Sequence, residues 1–91
     1  MEKSALHLTV EGRVQGVGFR HWTVSLGRSL GLNGWAKNRP DGSVEIHAEG
    51  DAAHLAEFAA RVEQGPETAR VTRCTATRSV PQNYKVFSVE Y

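Results

Sequence analysis

At 91 residues with a net charge of +1, the chain makes one domain (residues 1–91) with a single core, without the basic balance of a dedicated nucleic-acid binder. An apolar fraction of 40% with mixed charges excludes disorder, and the lone cysteine, Cys74, excludes an internal disulfide or a cysteine-based metal site. The opening residues, MEKSALHLTV, hold neither a cleavable leader nor a membrane span, so a soluble, cytoplasmic protein is expected.

Leu6, Leu8, Val10 and Val14 alternate with His7, Thr9, Glu11 and Arg13, the pattern of a half-buried strand interrupted at Gly12. After a glycine-rich stretch, Phe19, Trp22, Thr23, Leu26 and Leu30 fall at helical spacing, and Gly31 stops the helix. Gly27 lies inside it and should cost about 1 kcal/mol relative to alanine. A short strand over residues 33–39 precedes the turn Pro40-Asp41-Gly42. Val44, Ile46 and Ala48 then alternate with Glu45, His47 and Glu49 to complete a hairpin. Asp51 can cap a second helix with the stripe Leu55, Phe58, Ala59 and Val62, which Gly65-Pro66 ends. VTRCTATRSV is β-branched and reads as a strand, and KVFSVEY follows the turn PQN as a short extra one. The order β-α-β-β-α-β plus a C-terminal strand predicts an α+β, ferredoxin-like sandwich: an antiparallel sheet covered on one face by two helices. Such a fold decides nothing about function.

The stretch GRVQGVGFRHW, starting at Gly12, carries more information. Gly16 and Gly18 let successive backbone N–H groups turn inward as a concave anion nest, and the first turn of the following helix adds unpaired N–H groups. A helix N-terminus is electropositive, so Arg20 suits that position only if an anion sits between them. The P-loop is excluded because Phe19 and Arg20 stand where lysine and serine or threonine are required. A dinucleotide fingerprint is excluded by His21 in place of its third glycine. Glycine spacing alone leaves a plain turn and an anion cradle equally open. Asn38, in GWAKNRPDG, is depleted from strands. The residues by themselves favour a turn-opening role, in which its side chain bonds nearby backbone, over one in which the amide holds a water.

Other candidates are weaker. Helical spacing turns His21 about 100° from Arg20. His7 and His47 can meet across strands but lack the further ligands of a metal site. Cys74, Trp22 and Trp35 read as packing residues. An RNA-binding version of the fold would show aromatics on the uncovered sheet face, where this chain has His7, Thr9, Glu45, His47 and Glu49.

GRVQGVGFR, LGLNGWAKNRPDGSVEIHAEG and GPETARV together resemble the acylphosphatase family, from about Val10 to the final FSVEY. The resemblance implies hydrolysis of the carboxyl-phosphate bond of acyl phosphates. It assigns phosphoryl binding to Arg20, the positioning of the attacking water to Asn38, and the cradle to the backbone of Gln15, Gly16, Val17, Gly18, Phe19 and Arg20. A carboxylate leaving group, of pKa about 4, needs no general acid, so catalysis by positioning and charge neutralisation suffices. No metal and no cofactor are expected. The expected partners are a small acyl phosphate and inorganic phosphate as product, with no nucleic acid or membrane, and the chain ending at Tyr91 suggests a free-standing monomer. Gly27 departs from the alanine common in the family. Two alternatives remain: a carbamoyl-phosphate-directed domain like those fused to hydrogenase-maturation proteins, and a non-enzymatic phosphate-binding module. Whether Tyr91 reaches the site is open at this stage.

Overall fold

Apolar and polar residues alternating from Leu6 onward form the first of five strands. The computed structural model describes residues 3–91, in which β1 (Ser4–Arg13), α1 (Phe19–Ser29), β2 (Asn33–Asn38), β3 (Val44–Gly50), α2 (Ala52–Gln64), β4 (Arg70–Ser79) and β5 (Phe87–Glu90) follow in order. The sheet order is β4-β1-β3-β2-β5. β1 is antiparallel to β3 and β4, and β2 to β3, as the alternation predicts. The short final strand instead joins β2 in parallel, Gly34 facing Phe87 and Lys37 facing Glu90. Parallel neighbours need a crossover. Residues 80–86 supply it by passing over the sheet face that the helices leave open.

Both helices pack on the other face, α1 against β2 and β5, α2 against β1, β3 and β4. Leu8, Val10, Ala36, Val44 and Ile46 form the sheet side of the core, and Phe19, Leu55, Phe58 and Val62 the helix side; all are buried. Each large side chain there contributes about 1.5–3 kcal/mol by leaving water. No helix among the described residues is long and apolar enough to cross a membrane.

Four local features sharpen the expectations. Gly27 is buried, and a Cβ there would lie 2.5 Å from the Phe87 ring; the glycine is a notch that lets β5 dock against α1. Beyond it, Leu32 N–H bonds Gly27 O at 2.9 Å and Gly31 N–H bonds Arg28 O at 3.1 Å, a Schellman end to the helix. Asp51 occupies the N-cap of α2 but its side chain makes no cap hydrogen bond; its carboxylate lies 3.7 Å from His54 Nδ1 instead. His47 and Glu49, expected on an open face, are 5% and 1% exposed, because residues 80–86 lie over them.

Candidate active site

Strand alternation determines which face each residue of β2 serves. Asn38 pairs with Val44, on the helix-covered side, whereas Lys37 pairs with Glu45 on the other. β1 reaches the same end of the sheet through a bulge between Glu11 and Gly12. A Cβ at Gly12 would collide with the Arg70 carbonyl, so this close approach is reserved for glycine. The bulge leads the chain into residues 14–18.

There Gly16 and Gly18 adopt φ of 74° and 78°, a region side chains avoid, and nothing crowds the space beside either α-carbon. Gly18 stands at the N-cap of α1 with no side-chain cap and no acidic residue in the first turn. Among the described residues, no loop, turn or cap carbonyl accepts from the N–H groups of Gln15, Gly16, Val17, Gly18 or Phe19. The result is a concave set of free donors at the positive end of a helix. The loop is braced from both sides. Gln15 Nε2 donates to Arg39 O at 2.8 Å and Ser43 O at 2.9 Å, and Thr68 Oγ1 donates to Val17 O at 3.0 Å.

Arg20, the second residue of α1, turns toward β5. Its Nη1 donates to Glu90 O at 2.9 Å, and its guanidinium lies 4.7 Å from the centre of the Tyr91 ring. This cation–π contact and one hydrogen bond hold the group while leaving most of its five donors free. Among the described residues no carboxylate pairs with it. Glu90 faces Lys37 across β2, and the Gln15 side chain is bonded to Arg39 O. The cradle and Arg20 are therefore tied to the two residues that flank Asn38.

Asn38 Oδ1 is buried and accepts no hydrogen bond among the described residues. The turn chemistry expected of Asn38 belongs to Asp41, whose Oδ1 accepts from Ser43 N–H at 2.9 Å and Ser43 Oγ at 2.6 Å. Those bonds, the hydroxyl's first, hold the Asp41 carboxyl below its ordinary pKa. A buried unpaired acceptor costs about 1–3 kcal/mol, a cost that plain turn formation does not explain.

The remaining candidates are accounted for structurally. His7 and His47 do face each other across β1 and β3, but each bonds a carboxylate of its own, Glu45 and Glu49, both at 2.8 Å. His21 is exposed. Burial, with Glu63 nearby, raises the Cys74 thiol above its ordinary pKa, away from the reactive thiolate. Sequence reasoning missed the Glu90 carbonyl, the Gln15 and Thr68 side chains and the seat of Arg20 on Tyr91. All are contacts between distant segments, and no local spacing announces them.

A sequence model of the acylphosphatase family matches residues 6–89. The chain is 46% identical over 87 residues to the acylphosphatase of Thermotoga maritima, covering 96% of this chain and 97% of that one. Among solved structures, the acylphosphatase from Bacillus subtilis superposes with a TM-score of 0.93 at 39% identity, covering 97% of this chain and 99% of that one. HypF from T. kodakarensis matches with a TM-score of 0.84 at 30% identity, over 97% of this chain but 12% of its own. Family sequence, fold and the cradle-bearing loop agree: the chain belongs to the acylphosphatase family.

Proposed function

We propose that this chain hydrolyses acyl phosphates to carboxylate and inorganic phosphate by metal-free, cofactor-free phosphoryl transfer to water, acting as a monomer in the cytoplasm. The phosphoryl group sits in the cradle of residues 15–20, its oxygens on backbone N–H groups and on the free guanidinium donors of Arg20. As the bond to the carboxylate breaks, charge spreads over those oxygens, and preorganised donors stabilise it without reorganising. Asn38 Oδ1 accepts one O–H of the attacking water and aims its oxygen at phosphorus. The water's second proton passes to a phosphate oxygen. The carboxylate leaves with the bonding pair and needs no proton.

The observation that carries this reading is the buried, unpartnered Asn38 Oδ1 beside a loop of free N–H donors. Benzoyl, acetyl and carbamoyl phosphate, assayed beside a phosphate monoester, test it. Turnover of acyl phosphates with the monoester untouched is expected. Turnover of carbamoyl phosphate alone would shift the assignment to the carbamoyl-directed alternative, and turnover of none would leave a binding module.

A further inference from the structure

The uncovered sheet face carries a cavity of about 380 Å³ lined by Trp35, Lys37, Glu45, Tyr84, Glu90 and Tyr91, within the range of small-molecule sites, about 300–1,000 Å³. We propose that this trough receives the acyl group of the substrate and selects for a flat aromatic one. The proposal rests on the hydrolytic reading above and adds to it the direction in which the leaving group lies.

Three observations support it. First, the trough adjoins the phosphoryl site. Tyr91 lines it and also bears the Arg20 guanidinium, and Glu90 lines it while its carbonyl accepts from Arg20. Second, displacement at phosphorus requires the water and the leaving group on opposite sides. Asn38 stands on the helix-covered side of β2 and its neighbour Lys37 on the trough side. The end of one strand thus separates the nucleophile's holder from the cavity.

Third, the walls are aromatic and held in place. Trp35 stacks on His47 with centroids 6.1 Å apart, and Tyr84 meets the edge of His47 at 5.4 Å. Trp35 Nε1 donates to Tyr84 Oη at 3.1 Å, and Tyr84 N–H donates to Glu49 Oε1 at 2.7 Å. A rigid pair of rings gives a planar acyl group a stacking surface with little ordering left to do. The charged groups do not oppose this. Glu45 is engaged by His7, and Lys37 and Glu90 are exposed, forming a rim.

The test compares benzoyl with acetyl phosphate. In Tyr84→Ala the backbone N–H to Glu49 survives but one wall is gone, so the ratio of benzoyl to acetyl KM should rise about fivefold, while Tyr84→Phe keeps the wild-type ratio. An unchanged ratio in a folded Tyr84→Ala would overturn the proposal. A second measurement uses the wild-type protein and is independent of that variant's folding. Titration with phenacylphosphonate, which carries CH2 in place of the bridging oxygen, should shift the Trp35 indole N–H resonance. Inorganic phosphate should shift only the amides of residues 15–20. Phenacylphosphonate binding confined to those amides would remove the acyl subsite and leave the hydrolytic reading intact. Failure of the wild-type enzyme to turn over either acyl phosphate would instead sink that reading.

Discussion

Arg20 and Asn38 are asked to do different things, and their substitution should separate the two. Arg20→Gln keeps the helix and removes charge-assisted bonds of about 3 kcal/mol to the phosphoryl oxygens, so the rate should fall at least about a hundredfold with an unchanged circular dichroism spectrum. A folded variant of near-normal activity would exclude Arg20 from the site. Asn38→Ala removes the water's acceptor but not the phosphate's donors. It should lower kcat about a hundredfold and move KM much less, the profile of an interaction made only in the transition state. Because Oδ1 satisfies no partner among the described residues, the melting temperature should not drop; a lower Tm with intact kcat would make the asparagine structural. The glycine loop, Arg20 and Asn38 were legible because their residue types conflict with their positions: a cation at a helix start and an amide in a strand. Gln15 and Tyr91 carry no such conflict. Their work is visible only once residue 15 meets Arg39 and Ser43, and Tyr91 meets Arg20.

Between elements, the decisive contacts are those that bring β5 to α1. Helix propensity alone makes Gly27→Ala stabilising by about 1 kcal/mol. The Phe87 ring, 2.5 Å from the added Cβ, reverses the sign: the variant should lose about 1–3 kcal/mol by overpacking, read as a lower denaturation midpoint. Activity should fall with it, because β5 also delivers Glu90 O to Arg20. A more stable, fully active Gly27→Ala would mean that Phe87 moves aside freely. On the opposite face, burial by itself would raise the Glu49 carboxyl pKa. Hydrogen bonds from Gln82 N–H, from His47 and from Tyr84 N–H outweigh it and hold the group below its ordinary 4.5. A depressed folded-state value means that the stabilisation is fully present above the unfolded value and lost as pH falls through the folded one. The Tm advantage of wild type over Glu49→Gln should therefore hold near neutrality and shrink below about pH 4.5. An advantage independent of pH would show that the charge is irrelevant. Alternation placed His47 and Glu49 on the polar face correctly, but period-two reasoning cannot see a segment arriving from thirty-odd residues away to cover them.

For the molecule as a whole, electrostatics supplied by backbone and arginine predict activity that survives exhaustive chelation; loss with EDTA and recovery with a divalent ion would point to a metal mechanism. Inorganic phosphate should compete with substrate and stabilise the fold, by about 2.7 kcal/mol at a hundred times its Kd. Scanning calorimetry should show that rise disappearing in Arg20→Gln, and an equal rise there would place the anion elsewhere. The element order was legible because each helix and strand has its own period. The parallel seat of β5 was not, since four apolar-alternating residues fit either orientation. How β5 is reached has a mechanical consequence. Five strands span roughly 19 Å from first to last, and residues 80–86, joining the two outermost, stretch to at most about 26 Å. Excising two of them would consume about 7 Å and leave no slack. The segment therefore works as a tie-rod pinned at mid-span where Glu49 grips Gln82 and Tyr84, so neither rim of the sheet can peel away without loading the pin.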